Sequence, residues 1–337
     1  MNILVTGGAG FIGSHTVVEL IAAGFEPIIL DDFSNSEPKV LDRLETILGR
    51  KVKSYSANCN DSALLTKIFK EENIQGVIHF AASKAVGESV EKPLLYYRNN
   101  ISALVTLLEA MTANGVSNLV FSSSCTVYGQ PDSIPVTEET PVLPAASPYG
   151  NTKQVGEEII RDTVAAKLGL KALALRYFNP VGAHESALIG ELPIGVPANL
   201  VPFVTQTAIG IRSKLMVFGN DYGTPDGTCI RDFIHVVDLA KAHVKALELL
   251  VKQEDANYYE YFNIGTGKGT SVKELIDTFE EVTGVKVNYE FAPRRAGDIM
   301  EIYAEVSKSR DVLGWQAEKT LAEALADAWR WQEQLAK

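Results

Sequence analysis

Thr6-Gly7-Gly8-Ala9-Gly10-Phe11-Ile12-Gly13 stands directly behind an apolar run and directly ahead of a helical pattern. Its glycines satisfy Gly-x-Gly-x-x-Gly at positions 8, 10 and 13, and Gly-x-x-Gly-x-x-Gly at 7, 10 and 13. Glycine permits a tight strand-to-helix turn, lets the backbone approach a pyrophosphate, and lets the helix pack closely on a sheet. Asp31 and Asp32 end the second apolar run, 18 and 19 residues past Gly13. A carboxylate there accepts hydrogen bonds from both ribose hydroxyls and repels a 2′-phosphate. The segment therefore predicts a dinucleotide site that favours NAD over NADP.

The pattern continues beyond the glycines. Apolar runs without polar alternation recur at Asn2–Thr6, Pro27–Asp31, Lys53–Ala57, Gly76–Ala81, Asn118–Ser122 and Ala172–Tyr177, as expected of parallel strands buried on both faces. Helical patterns fall between them, near 12–23, 38–48, 62–72, 100–114 and 151–168, with Gly24, Gly115 and Gly169 placed as C-caps. After residue 180 the rhythm breaks in a stretch carrying Pro180, Pro193, Pro197 and Pro202. Helices return near 199–211, 236–251, 271–283 and 319–334, with short strands at 214–218 and 286–291. The expected fold class is α/β, a Rossmann-type doubly wound parallel sheet with a smaller mixed α/β substrate-binding lobe. We place the dinucleotide-binding domain at 1–178 and the second lobe at 179–337, with segments free to cross back. A length of 337 residues suits about two domains.

Charge and composition exclude several roles. With 31 basic against 42 acidic residues the net charge is -11, which repels nucleic acid and demands placed cations for any anionic ligand. No apolar stretch approaches the ~18 residues that cross a bilayer, and no signal peptide precedes Gly7, so no membrane partner and a cytoplasmic location are expected. Cys59, Cys125 and Cys229 form no paired or metal-binding spacing. His15, His79 and His235 are isolated in apolar settings and read as structural; no metal is expected.

Tyr149 and Lys153 form a Tyr-x-x-x-Lys pair just after Ser147-Pro148, and spacing i,i+4 puts them on one helical face. Ser122-Ser123-Ser124 ends an expected strand, and strand C-termini face the ligand crevice of open α/β sheets. Joined to a dinucleotide fold, this is a hydroxyl–carbonyl redox site. A free tyrosine, with a pKa of about 10, is a poor base at neutral pH. An adjacent ammonium and an oxidised nicotinamide would both favour the phenolate.

Spacing of the glycines, Ser124, Tyr149 and Lys153 resembles the extended short-chain dehydrogenase/reductase superfamily. Further strings narrow the likeness: His79-Phe80-Ala81-Ala82, Lys84-Ala85-Val86-Gly87-Glu88-Ser89, Tyr97-Arg98-Asn99-Asn100, Arg176-Tyr177-Phe178-Asn179-Pro180-Val181-Gly182-Ala183 and Arg231-Asp232-Phe233-Ile234-His235. Over essentially its whole length the chain resembles the UDP-glucose 4-epimerase family. That resemblance implies reversible C4 epimerisation of UDP-galactose and UDP-glucose through a 4-keto sugar, with NAD retained through each cycle. Tyr149 would take the proton of the sugar 4-hydroxyl, Ser124 would bridge or shuttle it, and Lys153 would hold the nicotinamide ribose. NAD contacts carried over are Gly7, Gly10, Phe11, Ile12, Gly13, Asp31, Asn35, Ser36, Asn58, Cys59, Phe80, Ala81, Lys84, Asn99 and Phe178, beside Ser124, Tyr149 and Lys153. UDP-sugar contacts are Asn179, Asn199, Leu200, Met216, Phe218, Arg231, Arg295, Asp298 and Ile302, beside Ser124 and Tyr149. A homodimer through helices near 90–115 and 151–168 is implied as well.

Three departures from the family pattern matter. Asn58 replaces a usual aspartate, and Cys125 replaces a common alanine. Ile302 stands where a bulky tyrosine in some members is associated with excluding 2-acetamido sugars, so turnover of UDP-GalNAc and UDP-GlcNAc is also expected. Two alternatives share parts of this pattern: a nucleotide-sugar dehydratase or decarboxylase of the same superfamily, and a non-catalytic NAD- or nucleotide-sensing protein. The first lacks the acid–base pair beside Ser124 that expulsion of a 6-hydroxyl needs. The second tends to lose the tyrosine or lysine, and both are present here.

Overall fold

The computed structural model describes residues 1–295 and 298–337. Ile3, Leu4 and Val5 are sealed from solvent, and they enter two different cores. Ile3 and Val5 join one apolar cluster and Leu4 the other, which is why this run shows no polar alternation. Five strands are built this way: β1 (Asn2–Thr6), β2 (Glu26–Asp31), β4 (Ile74–His79), β5 (Asn118–Ser124) and β6 (Lys171–Tyr177), whereas β3 (Lys53–Ser56), expected to be buried on both faces, is an edge strand with no buried residue, because only β2 covers one of its sides. Between them run α1 (Phe11–Ala22), α2 (Lys39–Leu48), α3 (Ser62–Glu71), α4 (Val86–Glu91), α5 (Pro93–Tyr96), α6 (Ala103–Ala113) and α7 (Pro148–Ala165). The helix expected over 100–114 opens instead with a π-helical turn at Tyr97–Ser102.

The later elements are β7 (Asn179–Val181), α8 (Leu200–Ala208), β8 (Leu215–Phe218), β9 (Ile230–Arg231), β10 (Phe233–His235), α9 (Val236–Lys252) and β11 (Tyr258–Ile264). They are followed by β12 (Thr270–Ser271), α10 (Val272–Thr283), β13 (Tyr289–Ala292), β14 (Glu301–Ile302), α11 (Ser307–Asp311) and α12 (Leu321–Leu335). Seven parallel strands make the main sheet, in the order β11-β6-β5-β4-β1-β2-β3. Helices α1, α2 and α9 cover one face, and α3, α6 and α7 the other. A third apolar cluster joins α8, β8, α10 and α12 into the smaller lobe.

The chain crosses back into the sheet after residue 179. Leu239, Ala242, Ala246, Leu247 and Leu250 of α9 belong to the same core as Ile3 and Val5. Strand β11 pairs with β6 from Tyr258↔Lys171 to Ile264↔Tyr177. Sequence pattern assigns no element to this segment, and the correction has a physical reason. β11 is an edge strand, half-buried over Tyr258–Tyr261, so it tolerates Glu260, which pairs with Lys308 at 2.7 Å. Two boundaries also shift: the strand expected at 76–81 runs Ile74–His79, and that at 286–291 runs Tyr289–Ala292.

Candidate active site

Parallel strands all end at one edge of the sheet, and the residues expected to hold a dinucleotide stand along it. β1 lies between β2 and β4, so its flanking connections diverge and open a crevice at the strand ends. Gly7 turns the chain there with φ of +70°, donating its N–H to the Leu30 carbonyl at 2.7 Å and accepting from Gly10 at 3.0 Å. A Cβ on Gly13 would lie 2.2 Å from the Gly7 carbonyl oxygen, so the closeness of α1 to the turn requires glycine. α1 opens at Gly10 with no side-chain cap and no acidic residue in its first turn. The first N–H groups of the helix, at Phe11 and Ile12, thus present the positive end of its dipole to an anion.

Asp31 is buried at the end of β2 and accepts from Ala9 N at 3.0 Å, Phe33 N at 2.9 Å and Ser36 Oγ at 2.9 Å. Burial outweighs these bonds and holds its pKa above the ordinary aspartate value. Asn35 lies in the same loop, and with three bonds accepted the Asp31 carboxylate keeps about one lone-pair site for a hydroxyl donor. Asn58 follows β3 and donates to Asp32 Oδ2 at 2.8 Å, with Cys59 buried beside it. Phe80 and Ala81 follow β4 against Gly7, whose added Cβ would come within 2.9 Å of Ala81 N. The π-helical turn aims two amides at the loop carrying Lys84: Asn99 Nδ2 donates to Ser83 Oγ at 3.1 Å, and Asn100 Nδ2 to the Ser83 carbonyl at 3.0 Å.

The redox triad assembles where β5 meets α7. Ser147 caps α7 by accepting the Gly150 N–H at 3.1 Å, placing Tyr149 in the first turn and Lys153 one turn on. Ser124 ends β5 beside Tyr149 and accepts from Thr126 Oγ1 at 3.0 Å. Lys153 is buried; its Nζ donates to the Ser122 carbonyl at 2.5 Å and lies 5.8 Å from the centre of the Tyr149 ring. Burial brings Lys153 down to about 7 against the pull of Glu157. Burial also pushes Tyr149 up to about 12, with the nearby Ser124 hydroxyl drawing it part of the way back. The expected lowering of the tyrosine is therefore not met in the chain alone, because desolvation dominates and the ammonium is held by Ser122.

Asn179 on β7, with Asn199 and Leu200 at the start of α8, lines a small cavity of about 40 Å³ shared with Glu191 and Phe233. Glu191 Oε1 accepts from Asn199 Nδ2 at 2.5 Å and pairs with Lys84 Nζ at 3.2 Å, so residues expected on cofactor and ligand meet through one carboxylate. Met216 and Phe218 lie on β8; Arg295 sits over the Phe218 ring at 4.9 Å and pairs with Asp298 at 2.9 Å. Arg231 faces Ile302 across β9 and β14. Ile302 is buried with Val127, Tyr128, Phe178 and Ala304, and Cys125 packs against that cluster. A larger cleft of about 660 Å³, between α1, α9 and residues 310–318, holds none of these residues. Among the described residues no cluster of three or more His, Cys, Asp or Glu is arranged for a metal.

Glu191, Glu157 and Arg176 carry no role in the sequence-based expectations. Glu157 had a signal: it continues the i,i+4 series from Tyr149 and Lys153. It accepts from Ser123 Oγ at 2.5 Å and from Arg176 Nε at 2.9 Å.

Residues 4–328 match a family model described as GDP-mannose 4,6 dehydratase. The UDP-glucose 4-epimerase of Bacillus subtilis (strain 168) is 51% identical over 332 residues, 98% of this chain and 97% of that protein. The crystal structure of UDP-glucose-4-epimerase from Stenotrophomonas maltophila, with bound NAD and formylated UDP-arabinopyranose, is 47% identical with a TM-score of 0.97, covering 100% of this chain and 99% of that one. That of the Bifidobacterium longum enzyme in complex with NAD+ and UDP is also 47% identical, with a TM-score of 0.94 and coverages of 99% and 98%.

Proposed function

The chain belongs to the UDP-glucose 4-epimerase family, and from that premise we propose how its own residues carry the reaction. It is an NAD-dependent isomerase that interconverts UDP-galactose and UDP-glucose at C4. One observation carries the residue-level reading: Ser124, Tyr149 and Lys153 converge at a single strand end in the edge that also holds the glycine turn.

The edge fits NAD. An uncapped helix N-terminus suits the diphosphate, the remaining lone pair of Asp31 suits a ribose hydroxyl, and Lys153 keeps donors beyond its bond to Ser122. Bound NAD supplies the hydride acceptor and, when oxidised, a positive ring charge that favours the phenolate. Tyr149 removes the proton of the 4-hydroxyl, with Ser124 bridging the two oxygens, and returns a proton when the ketone is reduced from its other face. Lys153 holds the nicotinamide ribose and stabilises the phenolate. Asn179, Asn199, Leu200, Phe218, Arg231 and Arg295 hold the uridine diphosphate, leaving the sugar free to turn. Elimination is disfavoured: the carboxylate that meets this strand end, Glu157, is taken by Ser123 and Arg176.

Proton NMR of UDP-galactose incubated with purified protein and no added NAD tests this reading. UDP-glucose should appear without a 4-keto-6-deoxy product. That product, or silence both with and without NAD, would refute it.

UDP-GalNAc and UDP-GlcNAc are also proposed substrates, because Ile302 is smaller than tyrosine and packs beside Cys125, next to Ser124. Ile302→Tyr should lower UDP-GalNAc turnover by about 50-fold or more, a steric discrimination in the range pockets achieve, while UDP-galactose turnover stays within about 5-fold. If both substrates fall together, the gate is not at Ile302.

A homodimer completes the proposal. Val90 and Leu94, 63% and 77% exposed, give α4 and α5 an unpartnered apolar surface. A monomer mass by sedimentation equilibrium would refute it. We also place the protein in the cytoplasm, a reading supported by its three free cysteines; export of the tagged full-length protein from its native cell would overturn this.

A further inference from the structure

Below the Tyr149–Lys153 pair lies a buried charged network that the reaction as described does not use. Glu157 is 8% exposed and Arg176 is 3% exposed. The guanidinium grips the carboxylate with two bonds, Nε to Oε1 at 2.9 Å and Nη2 to Oε2 at 2.5 Å. Its third contact is Nη1 to the Tyr128 hydroxyl at 3.2 Å, and it lies over the Tyr261 ring at 4.0 Å. Tyr128 in turn donates to Asn263 Oδ1 at 2.6 Å. Residues from β5, α7, β6 and β11 are thus tied at one point. A buried ion pair is commonly no more stabilising than a well-packed apolar substitute, so its place under the active site calls for another reason.

Position supplies one. Tyr149, Lys153 and Glu157 are spaced i,i+4 along one face of α7. Ser123, whose hydroxyl binds Glu157, stands between Ser122, which holds Lys153, and Ser124, which ends the strand beside Tyr149. The groups facing the Lys153 ammonium come from several elements. β5 offers the Ser122 carbonyl and the Phe121 ring at 5.1 Å. β4 offers His79, buried, kept neutral by burial and hydrogen-bonded to Thr6 at 2.7 Å. β6 offers Tyr177, which reaches the Ser122 hydroxyl, and α7 offers Tyr149 and Glu157. Among the described residues in this set, Glu157 is the anion.

We propose that Glu157 is a positioning residue for the epimerase reaction, keeping Lys153 as an ammonium and locking the Ser124 strand end against Tyr149. The inference rests on the Tyr149–Lys153 reading above. Removing one negative charge makes loss of a proton easier at both Lys153 and Tyr149, which titrate as a coupled pair. In holoenzyme carrying Glu157→Gln, both limbs of the kcat–pH profile for UDP-galactose should therefore move down by about one pH unit, with KM changed less than about 3-fold. Glu157→Asp, which keeps the charge, should restore the limbs.

Glu157→Gln leaves Arg176 buried and unpaired, so destabilisation must be separated from charge. The double variant Glu157→Gln with Arg176→Met removes both charges. It should recover melting temperature towards wild type and keep the displaced profile. A uniform fall in kcat with unmoved limbs, or a wild-type profile in the double variant, overturns the proposal. Tyr149→Phe in the same series separates the two readings. Full activity in that variant sinks the catalytic assignment, whereas its inactivity beside an unmoved Glu157→Gln profile sinks only this inference.

Discussion

Tyr149→Phe should reduce kcat for UDP-galactose by about 10³-fold, within the 10²–10⁴-fold usual for a positioned acid–base group. The phenol oxygen is the one atom removed, and its ring stays in the first turn of α7, set by the Ser147 cap. KM should change little, because the proposed diphosphate contacts lie on other elements, at Asn179, Asn199, Arg231 and Arg295. NAD content after purification should also persist, since the glycine turn, Asp31 and Lys153 are untouched. Steady-state rates, with cofactor released by denaturation and measured by absorbance, check both parts. Loss of activity together with loss of NAD would instead make Tyr149 a cofactor anchor.

Gly13→Ala attacks the other half of the site and should abolish NAD retention. The new Cβ would meet the Gly7 carbonyl oxygen at 2.2 Å and Gly8 Cα at 2.8 Å. Both are backbone atoms, and Gly7 is already fixed by its bonds to Leu30 and Gly10. Neither rotamer change nor side-chain motion relieves the contact. We expect destabilisation of about 3 kcal/mol, at the upper end of overpacking effects, with a lowered melting temperature and little activity. Gly10→Ala is the graded comparison, since its Cβ would lie 3.1 Å from the same oxygen. It should be clearly milder in melting temperature. Equal damage from both would mean that the turn has enough slack for α1 to retreat.

The part of this molecule that could be read from its sequence is the part set by backbone geometry and two-sided burial. Gly7 and Gly13 must be glycine for reasons local to one turn, and the Ile3–Val5 run declares a strand buried on both faces. Tyr149 and Lys153 are adjacent through helix periodicity alone. What escaped depends on partners distant in sequence. Arg176 ends an apolar strand and Glu157 lies in a polar-looking helix; their pairing appears only once β6 and α7 are packed together. Glu191 stands in an irregular proline-rich stretch, and its link to Lys84 spans the two lobes. β11 hid because an edge strand may carry Tyr and Glu on its half-exposed positions. Electrostatics at the pair was legible only in part: the lysine beside the tyrosine could be read, but not the desolvation that raises the phenol's pKa in the chain alone.

Oxidation and reduction at C4 should occur in one closed site, with the hydrogen removed being the hydrogen returned. UDP-galactose carrying deuterium at C4, incubated in ordinary water with the purified enzyme and no added NAD, tests this most directly. UDP-glucose should form with the deuterium still at C4, while the exchangeable hydroxyl protons, handled by Ser124 and Tyr149, carry no label. Loss of the deuterium to solvent would contradict this, because C4 would then have been deprotonated instead of oxidised.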